Sequence, residues 1–74
     1  MKYLNFSVII EEDKDGFFAF CPELRGCYTQ GNTYEEALKN IKDAIKLHLA
    51  DIEKNREKLE RPKSISLATV EVAV

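Results

Sequence analysis

The 74-residue sequence is poor in the residue types that most often carry chemistry: it has no tryptophan, one histidine, two cysteines and three glycines. Cys21 and Cys27 are too few for a disulfide scaffold or a complete zinc site, and they do not form a CxxC pair. They are predicted to be small buried apolar residues. The glycines lack the order GxGxxG or GxxxxGK that cradles phosphate, so they are predicted to lie in turns. His48, with no orienting partner or nucleophile indicated beside it, is predicted to lie at the core boundary.

Long hydrophobic runs and a basic charge excess are also missing. No window approaches the roughly 18 apolar residues of a membrane span, and the N-terminus lacks a signal-peptide cleavage site, so a cytoplasmic protein is expected. The net charge of −2 gives no general attraction for nucleic acid and favours a basic protein partner. The basic tract from Lys54 to Lys63 contains interleaved glutamates, which favours a salt-bridged helix end.

The first half of the chain predicts three antiparallel strands. Apolar and polar residues alternate from Leu4 to Ile10, which indicates a strand with one buried face, and the acidic run that follows is expected to end it. Asp15–Gly16 predicts a hairpin turn, and Phe17–Phe20 then supplies strong strand formers on both faces. Cys27–Gln30 predicts a third strand.

A helix is predicted to start at Thr33. The Thr33 hydroxyl is expected to accept from the backbone N–H of Glu36, whose carboxylate would reach back to the Thr33 N–H, a capping box worth about 1 kcal/mol. The helix either ends at Asn55 in a left-handed cap or continues toward Leu59, and Pro62 forces a halt. Residues at helical spacing fall on one stripe of this helix: Tyr34, Ala37, Leu38, Ile41, Ala44, Ile45, His48, Leu49 and Ile52.

The last eleven residues, Ser64–Val74, predict a final strand with a bulge near Ala68–Thr69. The element order β-β-β-α-β indicates one α+β domain over residues 1–74, with a small antiparallel sheet and one helix across one face. Because Phe17, Phe18 and Phe20 cannot all point to the same side, the other face should be partly apolar. Part of this face, or the edge of the last strand, is expected to form an interface. At this chain length a homodimer or higher oligomer is expected.

One segment, CPELRGCYTQGNTYEEAL at residues 21–38, combines a bracketed loop, a strand and a capped helix start. It resembles the N-terminal domain of the HicB antitoxin family, whose members carry Pro-x-Leu-x-Gly-Cys followed by Gly-x-Thr-x-Glu-Glu-Ala. The matching positions are Pro22, Leu24, Gly26, Cys27, Gly31, Thr33, Glu35, Glu36 and Ala37. These turn and cap residues shape the scaffold, and they assign no partner-contacting residue.

The resemblance implies a partial ribonuclease H-like fold and an antitoxin without catalytic or cofactor-binding residues. Its partner would be a HicA-like toxin, a small basic messenger-RNA-cleaving protein whose active site the antitoxin covers. Many members repress their operon through a C-terminal DNA-binding domain. This sequence stops where that domain would begin, so no direct DNA binding is expected.

Two alternatives stay open. A solitary HicB-like protein would act as an oligomeric scaffold or regulator without a toxin. A ribonuclease H-like nuclease would need carboxylates from the sheet and the helix to converge on metal ions. The hairpin acids at 11–15 and Asp43 are instead predicted to be solvated, while Glu35 and Glu36 are accounted for by the helix cap and dipole.

Overall fold

The computed structural model describes residues 3–74 and contains three strands followed by one helix. The elements are β1 (Ile9–Asp13), β2 (Gly16–Phe20), β3 (Tyr28–Gly31) and α1 (Tyr34–Lys54). The strands form an antiparallel sheet in the order β1-β2-β3, and α1 packs mainly over β3 and β2. The predicted α+β class, with a small antiparallel sheet and one helix, is confirmed.

The first hairpin turns one residue earlier than predicted. Its two-residue loop is Lys14–Asp15, and Asp13 pairs with Gly16, the first residue of β2. The side chain of Asp13 fixes the turn, since its Oδ1 accepts from the backbone N–H of Asp15 at 2.7 Å. Gly16 has φ +136°, a conformation that side chains disfavour, and a Cβ there would lie 2.9 Å from the carbonyl oxygen of Gly31.

Strand β1 lies further along the chain than predicted, at Ile9–Asp13 instead of Leu4–Ile10. The position follows from its partner, because the tight turn places the five residues of β2 opposite residues 9–13. Glu11–Asp13 therefore enter the ladder despite their low strand propensity. Residues 4–8, the N-terminal segment, extend past the end of β2, and Phe6 and Val8 still pack against the core.

The loop between β2 and β3 is closed by its own backbone. Cys21 N–H donates to Cys27 O at 3.0 Å, Leu24 N–H to Cys21 O at 3.1 Å, and Cys27 N–H to Leu24 O at 3.2 Å. These bonds turn the three side chains inward, and β3 then starts at Tyr28, one residue later than predicted. The buried core consists of Ala19, Cys21, Leu24, Cys27, Ala37 and Ile41.

The helix begins as the sequence indicates, with one difference in the cap. Thr33 Oγ1 accepts from Glu36 N–H at 3.0 Å, as predicted, but the Glu36 carboxylate accepts from the N–H of Asn32 at 3.1 Å and not from that of Thr33. Asn40 adds a second tie, because its side-chain amide donates to Gln30 O in β3 at 2.9 Å. The helix start is thus bonded to the end of β3.

The helix ends in a Schellman motif. Glu57 N–H donates to Ile52 O at 2.9 Å and Arg56 N–H to Glu53 O at 3.1 Å. Of the two predicted ends, the structure has the one at Asn55, which is the cap residue. The left-handed residue is Arg56, with φ 57°, whereas Asn55 has φ −85°. Leu59 packs against the core beyond the end of the helix and does not extend it.

The predicted final strand is not formed. In the part of the chain that the structure describes, Ser64–Val74 pairs with no strand and every residue of it is exposed. The Cα radius of gyration is 14.5 Å, whereas a compact domain of this length would have about 11 Å. The prediction of a strand with a bulge near Ala68–Thr69 is therefore wrong for this chain, because a strand needs a paired neighbour and the described sheet places none beside this segment.

Candidate partner-binding surface

Side chains alternate across the sheet, so one face meets the helix and the other stays open. Ile10, Phe17 and Ala19 point into the core. Because neighbouring residues of a strand point to opposite faces, the intervening residues form the second face. We call this surface the open face, and its members are Ile9, Glu11, Asp13, Phe18, Phe20, Tyr28 and Gln30.

The open face holds an apolar row with acids beside it. The strand register sets Phe20 directly between Ile9 and Tyr28, and it sets Phe18 between Glu11 and Gln30. Tyr28 is 75% exposed and Phe18 is 36% exposed. The prediction that this face is not cleanly polar is confirmed. Exposed aromatic rings beside carboxylates are suited to a partner that presents apolar and basic groups.

A partly exposed ion pair between Arg61 and Glu23 was not anticipated from the sequence. Arg61 Nε donates to Glu23 Oε2 at 2.9 Å, and Arg61 Nη2 donates to the same oxygen and to the Asn5 carbonyl. The guanidinium carbon lies 4.2 Å from the centre of the Phe6 ring, a cation–π contact. Glu23 also accepts from the Ser7 backbone N–H.

These contacts hold the Glu23 carboxyl in its charged form. The Ser7 N–H first, and then the Arg61 guanidinium, lower the pKa of Glu23 from its ordinary value, whereas burial acts in the opposite direction. The sequence assigned Arg61 to a salt-bridged helix end, which is wrong, because the helix has already finished and the partner is 38 residues away. A long-range pair of this kind leaves no spacing signal in the sequence.

The two cysteines lie where the sequence predicts, buried in the core with free thiols. Burial raises the pKa of the Cys27 thiol, and the neighbouring Cys21 adds to the shift. A thiol held in its neutral form is a poor nucleophile and a poor metal ligand. Their role in this structure is packing, next to Leu24 and the helix.

Gly31 has a role that its sequence position did not reveal. It was predicted to be a turn residue, but it is the last residue of β3, and a Cβ on it would lie 2.6 Å from the backbone nitrogen of Ala37. The missing side chain lets the strand end contact the first turn of the helix. Gly26, by contrast, has open space around it and a φ of +76°, which fits the predicted turn.

The remaining motif residues also support the scaffold. Leu24 and Ala37 are buried, Thr33 and Glu36 cap the helix, and Pro22 is exposed in the loop. Glu35 lies in the first helical turn beside Glu36.

The acidic residues do not converge. Glu11 and Asp13 lie on the open face, whereas Asp43 on the helix pairs with Lys39 at 3.3 Å. Among residues 3–74, no group of three histidine, cysteine or acidic side chains could hold a metal ion. His48 is half-buried on the helix, in agreement with the predicted boundary position. Within the same residues, no helix is long and apolar enough to cross a membrane.

The fold and its open face define a small α+β domain whose helix covers one side of a three-stranded sheet. The chain belongs to the family described as the HicB_like antitoxin of bacterial toxin-antitoxin systems, whose sequence model matches residues 6–72. The match therefore includes most of the exposed C-terminal segment. Family membership implies a toxin partner in general and suggests a non-enzymatic role.

Several proteins named UPF0150 are similar to this chain. One from Helicobacter pylori is 46% identical over 67 residues, which covers 90% of this chain and 93% of that protein. One from Synechocystis is 47% identical over 49 residues, covering 65% of this chain and 62% of the relative. One from Thermoplasma acidophilum is 44% identical over 59 residues, covering 78% and 86%.

Proposed function

We propose that this protein is an antitoxin-type binding module that neutralises a HicA-like messenger-RNA-cleaving toxin in the cytoplasm. It would act by covering the toxin's active site and perform no catalysis itself. The observation that carries this proposal is the open face, an exposed aromatic surface beside Glu11 and Asp13, in a chain that belongs to an antitoxin family.

In this proposal, the apolar and the acidic groups of the open face have different roles. Burial of Tyr28 and Phe18 against the toxin would supply affinity, since aromatic residues are frequent anchors at interfaces. Glu11 and Asp13 would speed the encounter with a basic protein, an effect that weakens as salt is added. A protein bound over the catalytic histidine of the toxin excludes messenger RNA by occupying its place.

A second candidate is a solitary HicB-like scaffold that forms homo-oligomers and has no toxin. The exposed apolar surface favours this candidate as well, because association of identical copies would also cover it. The ribonuclease H-like nuclease has no such support from the described acids, which do not converge.

The test begins with affinity purification of the full chain from its native host, followed by identification of the protein retained through a salt wash. A small basic protein in equal amount supports the antitoxin. That protein is then tested for RNA cleavage with and without the antitoxin, and RNA cleavage that the antitoxin does not reduce would contradict the proposal. Recovery of this protein alone, as an oligomer, favours the scaffold.

The open face is tested with a matched pair of tyrosines. Tyr28→Ala removes a side chain from the open face, whereas Tyr34→Ala removes one that is 50% exposed on the helix. The first change is expected to raise the dissociation constant of the toxin complex at least about tenfold, the effect of losing one anchor residue, and the second by less than about threefold. Equal effects of the two changes would contradict the assignment of this face.

A further inference from the structure

We propose that residues 64–74, which we call the C-terminal arm, pair as a β-strand with the outer edge of a second copy of this chain. The edge is formed by the N-terminal segment and β1, and two copies exchange arms reciprocally. This interaction goes beyond the toxin-binding function and does not depend on it.

The arm is rich in the apolar residues that are typical of strands, but its side chains are exposed. Seven of its eleven residues are apolar, and Leu67 at its centre is 88% exposed. The chain exposes 6738 Å² in all, whereas a compact monomer of 8.5 kDa would expose about 4,700 Å². Two copies therefore carry an excess of about 4,000 Å², and obligate homodimers bury about 2,000–5,000 Å².

Among the residues that the structure describes, no strand pairs with the receiving edge. The backbone N–H and C=O groups of successive residues point to opposite sides of a strand. Because Asp13 and Gly16 close the two-residue turn as a pair, the backbone groups of the odd-numbered residues of β1 point toward β2. The N-terminal segment continues this pattern, because Asn5 and Ser7 bond to Arg61 and Glu23 on the β2 side. The backbone groups of Leu4, Phe6 and Val8 consequently point outward, where the sheet has no further strand among the described residues.

An apolar groove borders this edge and has a charge that suits the arm. Its volume is about 690 Å³, and it separates the N-terminal segment from the helix. Leu38, Ile45 and Leu49 form its helical wall, and Lys42 and Lys46 line it as well. A strand added at the edge would place alternate side chains in this groove. The arm has a single charged side chain, the carboxylate of Glu71, whose sign is opposite to that of the two lysines.

The position of Arg61 favours a second copy over the chain's own arm. Arg61 is bonded to Glu23 and to the Asn5 carbonyl, on the side of the N-terminal segment that faces β2. The arm starts three residues later, and to reach the outer side it would have to cross its own N-terminal segment. A second copy presents the same edge without that crossing, and the exchange is symmetric. Strand β3, the other edge, is only four residues long and has polar Gln30 exposed.

Analytical ultracentrifugation of the full chain over a range of concentrations tests the proposal with two leucines that are both exposed. Leu67→Asp changes the arm, and Leu47→Asp changes a helix residue that is 71% exposed and lies outside the groove. We expect a dimer whose dissociation constant rises at least about 100-fold with Leu67→Asp, since the change occurs twice per dimer, and less than about threefold with Leu47→Asp. A wild-type monomer at 100 µM, or equal effects of both changes, would overturn the proposal.

Residue-resolved hydrogen exchange of the wild-type chain then tests which surface receives the arm. The amides of Phe6 and Val8 should be protected at high concentration and lose protection on dilution, whereas the Ser7 amide, already bonded to Glu23, should change much less. A dimer whose Phe6 and Val8 amides stay unprotected uses another surface and overturns the proposal. Protection that appears only when a basic partner protein is added overturns it too, because the arm would then belong to that complex.

Discussion

Two regions of this molecule contain many apolar residues, but one region supplies most of the buried core and the other is exposed. Residues 21–41, from the closed loop to the first turns of the helix, include eight apolar residues among twenty-one, and five of the six core residues come from this region. The C-terminal arm is richer in apolar residues, with seven of eleven, yet all of it is exposed. Apolar content therefore does not decide which region is buried.

The difference lies in the backbone. In residues 21–41, the loop bonds of Cys21, Leu24 and Cys27, together with the Thr33 cap, give polar groups their partners while the side chains turn inward. A buried backbone without such partners is costly, so local closure allows burial. The arm has no turn of its own, so its backbone groups need a neighbouring strand as their hydrogen-bond partner before the arm can be buried. Substitutions in the two regions should therefore differ in their effect on stability.

The largest expected effect is the loss of a core side chain. Ile41 is 1% exposed, so Ile41→Ala should lower the free energy of unfolding by about 3 kcal/mol through lost burial and a cavity. Leu67→Ala should change it by less than about 0.5 kcal/mol at concentrations low enough for the chain to be monomeric. Urea unfolding followed by circular dichroism measures both. A comparable loss from the two substitutions would show that the arm packs on its own chain.

The second effect concerns the contact between β3 and the helix. Gly31→Ala should cost about 2 to 3 kcal/mol, because the new Cβ would lie 2.6 Å from a backbone nitrogen and one element must shift. Gly26→Ala is the matched control, since it has free space and only the strain of its positive φ, about 1 kcal/mol. Equal losses in urea unfolding would mean that the helix can move away from the strand freely.

The third effect concerns the ion pair between Glu23, in the loop after β2, and Arg61, three residues before the arm. The pKa of Glu23 is lowered in the folded state, so its carboxylate stabilises the fold above pH 4.5, the ordinary value. This contribution is lost as the pH falls through the folded-state pKa. Glu23→Gln should cost about 1 to 2 kcal/mol at pH 7.

Thermal unfolding between pH 2 and pH 7 measures this pH dependence. The Gln variant should lose less stability than wild type on acidification. Glu71→Gln in the arm is the control, expected to leave the low-concentration profile close to that of wild type. If the Glu23→Gln profile is parallel to that of wild type, the ion pair does not cause the loss of stability at low pH.

The smallest effect is a gain. Arg56 is the left-handed residue of the Schellman motif, with φ 57°, a conformation that glycine adopts without strain. Arg56→Gly should therefore raise the free energy of unfolding by about 0.5 kcal/mol, after the entropy that glycine adds to the unfolded chain. Arg56→Ala, which keeps a Cβ, should give no such gain in the same unfolding experiment. A gain from alanine equal to that from glycine would point to the lost charge as the cause.

Much of the fold could be read from local patterns. The capped helix, the FFAF strand with two faces and the buried cysteines follow from periodicity and turn chemistry within a few residues. The ends of elements were less accurate, because pairing fixes them. Strand β1 takes up Glu11–Asp13 since β2 lies opposite, and the hairpin turns at Lys14–Asp15 since Asp13 caps it.

The features that were missed depend on distant residues. Arg61 reaches Glu23 across 38 residues, and Gly31 is required by the position of Ala37 in space. The open face followed in part from the three phenylalanines, but its alignment of Phe20 with Tyr28 needed the register. The arm's apolar pattern predicted a strand that the structure does not contain, because the pattern carries no information on whether a neighbouring strand lies beside it.

The order β1-β2-β3, in which each strand pairs with its neighbour in sequence, has a consequence for the time course of folding. Every pairing in the sheet closes a short loop, so the sheet and the helix can fold quickly without the arm. Association through the arm must come later and in a second-order step. After a stopped-flow jump out of urea, the first phase should keep the same rate constant at every protein concentration, and a slower phase should accelerate as concentration rises.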